Sequence, residues 1–578
     1  MNKKVALLFL ILGLCLSFLC GCKAQSKGSK EASMGAEDPS SEEGRIAAEE
    51  GRIENGENTN KEESETMKDI TTAKRSPEEG AAGAAVSGYR PSIEHPEKLF
   101  ENIQLTKPDK AIGYHNPLIS QRFGADPYAI VYGDRVYVYM TNDILEYDEA
   151  GNISENTYSK IDNLGCISSD DLVNWTDHGI IQIGGKGGGS VWTKNSWAPA
   201  AIHKKINGKD QFFLYYANNA SSIGVLRSDS PVGPFLDPLG KPMITKETEN
   251  CSDVKWLFDP AVFTDDDGRS YLYFGGGVPD GQEEMPNTAR VAELGEDMIS
   301  LAGTPVVIEA PYLFEDSGIN KIGDTYYYTY CSNWDTRDNA KGPYVPEIAD
   351  IIYMTSKSPL GPWEYQGPIL KNPGRFFGTW GNNHHCMVEF KGKWYMFYHT
   401  QLLQDDMGIK GGYRCTHVDE VTIREDGSIV NIMASRFGVK QLKNLDPYQV
   451  TEAETFAWMG GVETEQTGTQ SVHYGLVNHV VTGLTTGDWI GLSDVDFGEE
   501  APTTFTAKIS SETAGNLIRI TVDKANGDCL GYLEVPNTGS LEDYQEVTVP
   551  ISGVTGVHDL FFTFCGEGFQ FDSWYFKR

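Results

Sequence analysis

Residues 326–331 read Tyr-Tyr-Tyr-Thr-Tyr-Cys and follow a tight-turn signal at Gly323-Asp324. Four more short aromatic segments follow such turns elsewhere in the chain: Val136-Tyr-Val-Tyr-Met-Thr141, Phe212-Phe-Leu-Tyr-Tyr-Ala217, Tyr271-Leu-Tyr-Phe-Gly-Gly276 and Trp394-Tyr-Met-Phe-Tyr-His399. A Gly-containing turn before an aromatic, β-branched run is typical of a β-hairpin. The segments begin 76, 59, 55 and 68 residues apart, which suits one four-stranded sheet for each repeat.

A second repeat supports the same periodicity. Ser228-Asp-Ser-Pro-Val-Gly-Pro-Phe235 recurs as Ser356-Lys-Ser-Pro-Leu-Gly-Pro-Trp363, and 168–175 is a variant of it. Five such units that close radially predict a five-bladed β-propeller, while a β-sandwich with unrelated hairpins is the alternative. Residues 449–578 alternate as strands between Gly- and Asp-rich turns and predict a jelly-roll β-sandwich, so we expect an all-β protein.

Four segments are expected along the 578 residues. Residues 1–22 form an export signal that ends in Leu19-Cys20-Gly21-Cys22, which resembles a bacterial lipobox with Cys22 as the lipidated residue; an ordinary cleaved signal is the alternative. Residues 23–95 are an acidic, aromatic-poor stretch that predicts a disordered tether. The propeller is expected at 96–448 and the sandwich at 449–578.

Charge and cysteine content narrow the class of protein. The formal charge of −34 argues against nucleic acid as a partner, because phosphates would be repelled. Seven cysteines lie beyond the signal and none form a CxxC pair, so we expect neither a zinc site nor a disulfide scaffold; pairing of Cys529 with Cys565 stays open. The expected location is outside the cytoplasm, on the membrane surface, held by the lipid alone.

Each aromatic run is preceded by a second strand with its own signature. We align the first residues of these strands as position one: Asp126, Ala198, Asp259, Glu315 and His384. Because the innermost strand of every blade lines the central channel, the repeat predicts that three carboxylates and a histidine meet in one pocket. Glycoside hydrolysis needs a carboxylic acid to protonate the leaving oxygen and a carboxylate to activate water. Taken alone, any single Asp-Pro is better explained as a turn or a strand-entry residue, but three acids at the equivalent position of three blades are much harder to explain structurally.

Six motifs in the propeller region carry a family resemblance: Phe123-Gly-Ala-Asp-Pro-Tyr128, Ser196-Trp-Ala-Pro199, Phe258-Asp-Pro-Ala-Val-Phe263, Phe314-Glu-Asp-Ser-Gly318, Asn382-Asn-His-His385 and Gly412-Tyr-Arg-Cys-Thr-His417. In this order they resemble glycoside hydrolase family 43, and most of all its branch of arabinoxylan arabinofuranohydrolases. The resemblance implies an inverting hydrolysis that removes α-L-arabinofuranosyl groups from arabinoxylan or related hemicellulose, with no cofactor in the chemistry.

The resemblance also implies roles for the acids. Asp126 would be the general base, and Asp259 would orient the general acid and tune its pKa. The acid is a choice between Glu309, whose Glu-Ala-Pro resembles the motif of many family members, and Glu315. Position one precedes the aromatic strand by 10 to 14 residues in the other repeats; Glu315 precedes Tyr326 by 11 residues and Glu309 precedes it by 17. We therefore expect Glu315 to be the acid.

Further residues are expected around this pocket. Trp197, Asn382 and Asn383 would bind substrate, since an aromatic face beside polar groups suits a sugar ring. Arg414 would donate to sugar hydroxyls, with a structural ion pair as the alternative. His384 resembles a channel histidine that in some family members contacts a calcium ion through water; a histidine hydrogen-bonded to a carboxylate is the alternative.

The C-terminal region resembles carbohydrate-binding module family 6 at Glu452-Ala-Glu454, Gly487-Asp-Trp-Ile490 and Phe571-Asp572, among other positions. The resemblance implies that Glu452, Glu454 and Asp572 hold a structural Ca²⁺, for which oxygen-only ligands are suited. The sugar-binding positions depart from the family pattern, because no Trp follows Thr538-Gly539 and Gln570 stands where Asn is usual. Glycan binding by this region stays open, and bracing of the propeller is the alternative.

Three functions are compatible with these features. The leading interpretation is an exo-acting α-L-arabinofuranosidase on plant cell-wall arabinoxylan. A β-xylosidase or arabinanase of the same family would share the three acids and differ in the loops around the pocket. A non-catalytic surface glycan-binding protein would not need them, and the presence of all three acids favours hydrolysis.

Overall fold

The structure is a computed structural model that describes residues 92–337, 344–471, 473–475 and 477–578. The predicted signal at 1–22, with Cys22, and most of the tether lie outside these residues. The described chain is all-β, with three short helices: α1 (Pro96–Phe100), α2 (Gly374–Phe377) and α3 (Leu402–Asp406). No described helix has the length and apolar character needed to cross a bilayer.

Five antiparallel sheets follow one another along the first part of the chain. They contain β1 (Ala125–Tyr132), β2 (Arg135–Thr141), β3 (Asn163–Ser169) and β4 (Trp175–Gln182); β5 (Trp197–Ile206), β6 (Lys209–Asn218) and β7 (Ser222–Ser228); β8 (Ala261–Thr264), β9 (Ser270–Phe274), β10 (Ala289–Leu294) and β11 (Val306–Ile308); β12 (Leu313–Ile322), β13 (Thr325–Ser332), β14 (Ile351–Ser356) and β15 (Glu364–Leu370); and β16 (His385–Phe390), β17 (Lys393–Thr400) and β18 (Cys415–Val421). The five predicted aromatic runs fall on the second strand of each sheet, which confirms the repeat.

The two sequence repeats meet in the core. Tyr139 in β2 donates a hydrogen bond from its hydroxyl to the carbonyl of Pro231 at 2.5 Å, and Tyr273 in β9 donates to the carbonyl of Pro359 at 2.7 Å. In both cases the proline follows the third strand of the next sheet. An unsatisfied buried hydroxyl costs about 1–3 kcal/mol. The aromatic strand and the Ser-x-Ser-Pro segment therefore recur together, because the proline carbonyl of the segment accepts the hydrogen bond of the buried tyrosine hydroxyl.

The first strands of neighbouring sheets lie against one another. β1 contacts β5, β5 contacts β8, β8 contacts β12 and β12 contacts β16, and β16 also contacts β1. The residues at the beginnings of these strands can therefore approach one another, although they lie far apart in sequence.

Two further sheets form the C-terminal part. The first contains β22 (Glu463–Thr467), β23 (Asn478–Thr482), β30 (Phe569–Lys577), β25 (Thr504–Ser511) and β28 (Gln545–Pro550), with β19 (Thr451–Glu452) paired to β30; the second contains β21 (Trp458–Gly460), β24 (Trp489–Asp496), β29 (Val557–Cys565), β26 (Asn516–Val522) and β27 (Asp528–Val535). Phe505 and Trp574 of the first sheet pack against Phe562 of the second, with ring centroids 5.4 and 5.2 Å apart. The two sheets thus form a β-sandwich around an aromatic core.

The sandwich is joined to the first sheet by backbone hydrogen bonds. The short strand β20 (Thr455–Phe456) pairs with the outer edge of β4. Buried Asp177 in β4 accepts hydrogen bonds from Gln121 at 2.9 Å and from Thr464 of the sandwich at 2.6 Å. The sandwich therefore covers the edge of β4, and edge strands are commonly protected in this way.

The seven cysteines of the described chain are free thiols. Cys529 and Cys565, whose pairing stayed open in the sequence, are not joined in the structure.

Candidate active site

The strand entries that converge between the five sheets share a strained backbone. Asp126, Ala198, Asp259 and Asp316 have φ values of 48°, 40°, 49° and 69°, in the left-handed region that non-glycine residues rarely occupy. Such a conformation costs about 1–3 kcal/mol and persists where the surroundings hold it, most often at functional sites. Here the neighbouring sheets hold it: the amide of Asp126 donates to Nδ1 of His399 at 3.1 Å, and the amide of Asp316 donates to Oδ2 of Asp259 at 2.9 Å.

The fourth strand entry departs from the predicted alignment by one residue. The residues paired just before the bulge in three sheets are Ala125 with Thr141, Trp197 with Ala217, and Glu315 with Cys331. The counterpart of Asp126 is therefore Asp316, and the alignment of Glu315 at position one is wrong. The error has a clear origin. At the other strand entries with this backbone conformation the next residue is Pro, whereas Asp316 is followed by Ser317. The sequence therefore did not show which of the two adjacent acids, Glu315 or Asp316, occupies position one.

Asp126 is a buried carboxylate that is bound by one strong cation, Arg414. Its Oδ1 accepts a hydrogen bond from Nη1 of Arg414 at 2.8 Å and lies 3.2 Å from Nδ1 of His399 and 3.6 Å from Nδ1 of His384. Burial acts to raise the pKa of Asp126, but Arg414 and the two histidines outweigh it and hold that pKa well below its usual range. Asp126 is therefore ionised at neutral pH. Its side-chain contacts with the described residues fall on Oδ1, which leaves Oδ2 for a ligand.

Glu315 is buried in the opposite electrostatic situation. Its Oε1 accepts no hydrogen bond from the described residues. Burial and the Asp126 carboxylate raise the pKa of Glu315 to about 8, although a hydrogen bond from the Asn382 side chain acts in the other direction. Burial, together with Glu315 and Asp126, also raises the pKa of Asp259 well above its usual range. At neutral pH Glu315 therefore carries a proton and Asp126 does not. The rejected candidate Glu309 lies exposed to solvent.

His384 lies among three carboxylates. Its Nδ1 is 3.6 Å from Oδ1 of Asp126 and 3.7 Å from Oδ2 of Asp259, and its Nε2 is 3.2 Å from Oδ1 of Asp316. The other oxygen of Asp316 is hydrogen-bonded to Nδ1 of His385. Burial lowers the pKa of His384, while Asp316 and Asp126 act to raise it. His384 therefore lies close to carboxylates, but Oδ1 of Asp316 accepts no hydrogen bond from the described residues, so the hydrogen-bonded alternative from the sequence stays a prediction.

The four predicted substrate-binding residues divide into two groups. Trp197 and Asn382 are partly exposed; the indole of Trp197 donates to the carbonyl of Tyr158 at 3.0 Å. Asn383 and Arg414 are buried. The side-chain amide of Asn383 donates to the carbonyl of Ala349 at 3.2 Å, so this buried residue stabilises the backbone beside the site. The N–H groups of Arg414 point to carboxylates, as in the ion-pair alternative.

An ionised carboxylate and a protonated carboxyl group in one buried pocket supply a proton acceptor and a proton donor together. Hydrolysis of a glycosidic bond requires two groups of this kind.

Comparison with known families agrees with this chemistry. The sequence profile described as Glycosyl hydrolases family 43 matches residues 114–429, more than half of the chain. The chain belongs to glycoside hydrolase family 43.

Two curated relatives span most of this family 43 enzyme. The arabinoxylan arabinofuranohydrolase of Bacillus subtilis (strain 168) is 47% identical over 487 residues, which cover 81% of the chain and 93% of the relative. The protein of the same name from Paenibacillus polymyxa is 45% identical over 482 residues, covering 81% of the chain and 75% of the relative. A crystal structure of a family 43 arabinoxylan arabinofuranohydrolase from Bacillus subtilis, in complex with cellotetraose, superposes with a TM-score of 0.78 at 46% identity and covers 82% of the chain and 99% of its own.

The C-terminal part of the family 43 chain has a match of its own. The profile described as Carbohydrate binding module (family 6) matches residues 452–578. The predicted calcium ligands Glu452, Glu454 and Asp572 are all buried there. Oε2 of Glu452 and Oε2 of Glu454 accept no hydrogen bond from the described residues. Oδ2 of Asp572 accepts two, from Nζ of Lys508 at 3.0 Å and from Nδ2 of Asn478 at 2.9 Å.

Several residues of the family 43 site were missed by sequence reasoning. They are Asp143, Tyr158, Asp316, His385 and His399. Position was the available signal for two of them, because in an antiparallel hairpin the end of the second strand lies beside the start of the first. His399 is near the end of β17 and Asp143 lies two residues beyond β2. Both could have been sought by that rule.

Proposed function

We propose that this enzyme removes α-L-arabinofuranosyl side chains from arabinoxylan. The observation that carries the proposal is a buried pair of unlike acids: Asp126 is bound by Arg414, whereas Oε1 of Glu315 has no hydrogen-bond partner among the described residues. The substrate is supported by the two relatives at 45% and 47% identity, both named arabinoxylan arabinofuranohydrolase.

In the proposed reaction Asp126 is the base and Glu315 is the acid. A water molecule beside Oδ2 of Asp126 attacks the anomeric carbon, and its proton passes to that carboxylate as the new C–O bond forms. Glu315 gives its proton to the glycosidic oxygen as the old C–O bond breaks, so the xylan hydroxyl leaves neutral. One displacement of this kind inverts the anomeric centre. Inversion itself is proposed from family membership.

Asp259 is proposed to keep Glu315 protonated before the bond breaks. Its raised pKa and its contact with the backbone of Asp316 place it beside the acid without its own cation. Neighbouring acids that share protons hold one another's pKa up.

We further propose that the five sheets close into a five-bladed β-propeller. The contacts of the five first strands support this closure, since each lies against the next and the fifth lies against the first. The site would then occupy the central channel. A crystal structure tests the closure, and an open row of sheets with a gap between β16 and β1 would refute it.

Product analysis tests the reaction most directly. The mature protein is incubated with arabinoxylan and the products are followed by proton NMR from the first minutes. We expect free arabinose whose first anomer is β, before mutarotation. Release of xylose alone would point to a β-xylosidase, a first-formed α-anomer would refute inversion, and no released sugar would refute hydrolysis.

We propose that the protein lies outside the cytoplasm and is anchored to the cell membrane or cell surface through lipid on Cys22. The apolar run Val5 to Leu19 and the following Cys-Gly-Cys support this. Growth with labelled palmitate tests it: label is expected on the wild type and not on a Cys22→Ser variant. A wild-type chain that carries no label and appears in the medium would contradict the anchor.

We also propose that Glu452, Glu454 and Asp572 hold a structural Ca²⁺. Buried carboxylate oxygens without partners suit a hard cation, which would neutralise charge that the fold otherwise leaves uncompensated. Among the described residues no three His, Cys, Asp or Glu side chains already stand in a metal-binding arrangement, so binding would draw these carboxylates together. The proposal does not extend to His384, because both of its ring nitrogens face carboxylates and Ca²⁺ prefers oxygen ligands.

A further inference from the structure

Asp143 is a buried carboxylate that lies two residues beyond β2. Its Oδ2 accepts a hydrogen bond from Nε of Arg414 at 2.9 Å, and its Oδ1 accepts one from Nη2 at 2.8 Å. Oδ2 also accepts the backbone amide of Arg414 at 3.0 Å. A two-pronged contact of this kind fixes the plane of a guanidinium group as well as its distance.

The remaining contacts of Arg414 leave it little freedom. Nη1, which Asp143 does not bind, donates to Oδ1 of Asp126 at 2.8 Å. The guanidinium carbon lies 5.0 Å from the centroid of the Tyr158 ring, within cation–π range. The edge, the tip and one face of the group are therefore each held by a different residue.

Asp143 is brought to this position by the first hairpin. β1 and β2 are antiparallel, and Ala125 at the start of β1 pairs with Thr141 at the end of β2. Asp126 and Asp143 follow these paired residues in sequence. The same hairpin thus delivers the proposed base and the carboxylate that holds the partner of that base.

We infer that Asp143 is a positioning residue, which holds Arg414 so that Oδ1 of Asp126 is occupied and Oδ2 is presented to the attacking water. The inference rests on the proposed role of Asp126 as the base. Arg414 without Asp143 has two free donors and can turn towards other acceptors. Asp126 would then lose the contact that decides which of its oxygens faces the substrate.

The first test is the kinetics of Asp143→Asn, which keeps the shape of the side chain and removes its charge. We expect kcat on an aryl α-L-arabinofuranoside to fall about 30- to 100-fold, since a misplacement of roughly 1 Å can cost ~100-fold in rate. KM is expected to stay within about threefold, because Asp143 lies behind the pocket. An unchanged kcat, or a loss that appears in KM alone, would overturn the inference.

Asp406→Asn is the matched control. Asp406 binds both terminal nitrogens of Arg436, at 2.6 and 3.0 Å, and neither of these two side chains is hydrogen-bonded to Asp126, Asp143 or Arg414. Loss of this pair is expected to lower the melting temperature and to leave kcat per folded molecule unchanged. If Asp406→Asn lowered kcat as much as Asp143→Asn, the effect would be general destabilisation and the inference would fail.

A double-mutant cycle asks whether Asp143 acts through Arg414. Once Arg414→Ala has removed the guanidinium, adding Asp143→Asn is expected to change kcat by less than about twofold, because residues that act as a unit are not additive. A further tenfold loss would show that Asp143 acts by another route.

A crystal structure of Asp143→Asn gives a readout that does not depend on the substrate. Arg414 is expected to leave Oδ1 of Asp126. A contact that stays near 2.8 Å would refute the inference even if arabinoxylan is the substrate. Conversely, failure of the wild type to release arabinose would refute the proposed function, while the withdrawal of Arg414 would still support the positioning role.

Discussion

Two regions of this enzyme bury three or more carboxylates, and they treat the charge in opposite ways. Around Asp126 the fold supplies Arg414 and two histidines. Near Glu452 and Glu454, the described residues contain one ion pair, and it joins Lys508 to the third carboxylate, Asp572. The first region separates its acids, with the pKa of Asp126 lowered and that of Glu315 raised to about 8. In the second, burial raises the pKa of both glutamates, and their repulsion adds to the shift of Glu454.

The difference indicates two uses of buried charge. A site that transfers protons needs groups of unequal pKa, and an internal cation that binds one acid directly creates that inequality. A site that binds a metal needs groups that are alike and left without internal partners, so that the ion itself supplies the compensation. The two glutamates come nearer to the second character, because one oxygen of each accepts no hydrogen bond from the described residues, and Asp572 is the least typical of the three.

The largest expected effect is on the chemistry of the first region. Asp126→Asn should lower kcat on arabinoxylan by about 10³-fold or more, and Glu315→Gln by a similar factor, because a positioned base or acid contributes roughly 10²–10⁴-fold. Initial rates of arabinose release measure both. Glu454→Gln is the control from the other region and should keep kcat within about twofold. Equal losses in all three variants would erase the distinction between the regions.

The pH dependence of Glu315 gives the next effect. Its raised pKa means that the working protonated form is lost as pH rises through about 8, so kcat/KM should fall on the alkaline side near that value. Burial, Asp126 and Asp316 raise the pKa of this carboxyl group, and Asn382 and Arg414 act to lower it. On the acid side no loss is expected from Asp126 down to strongly acidic pH, because its pKa is lowered.

The same shift predicts a change in stability. A carboxyl group whose pKa is raised by folding holds its proton more tightly in the folded state, so the folded state loses stability as pH rises from the unfolded value towards about 8. Glu315→Gln cannot ionise and should escape this loss. The melting temperature of the variant relative to wild type should therefore be higher at pH 9 than at pH 6. A difference that does not change with pH would show that Glu315 is not buried as an acid.

Much of this arrangement was readable in the sequence. Alternating aromatic strands and Gly turns identified the second strand of all five sheets, because hydrophobic period and turn chemistry are local properties. Asp126 and Asp259 followed from the repeat and the family resemblance, whereas Glu315 was chosen on a register that the structure shifts by one residue. What could not be read was the register at Asp316 and the partners of Arg414. These depend on bulges and on side chains that meet across 271 positions of chain, and no local pattern records such contacts.

Calcium removal should produce a moderate effect, confined to the second region. A ligand at about a hundredfold excess over its Kd stabilises the folded state by roughly 2.7 kcal/mol, so a chelator should lower the melting temperature by on the order of 5 °C. In Glu454→Gln the chelator should have little effect. Rates at 25 °C should not change in either case. If a chelator abolished activity while the protein stayed folded, an ion in the first region would be indicated instead.

The smallest expected effect tests the one internal cation of the second region. Lys508 is partly exposed, and its bond to Asp572 at 3.0 Å is an ion pair of the kind that contributes about 1 kcal/mol or less. When a chelator has removed calcium, Lys508→Met should therefore lower the melting temperature by only a few degrees relative to the wild type. The difference in melting temperature between calcium and chelator should be larger for Lys508→Met than for the wild type, because Lys508 and Ca²⁺ compete for Asp572. The equivalent change in the first region, Arg414→Lys, should remove most of the activity, since Lys cannot form the two-pronged contact with Asp143. If Lys508→Met made the difference in melting temperature between calcium and chelator smaller, Lys508 would support calcium binding. The second region would then, like the first, use an internal cation to balance its buried carboxylates.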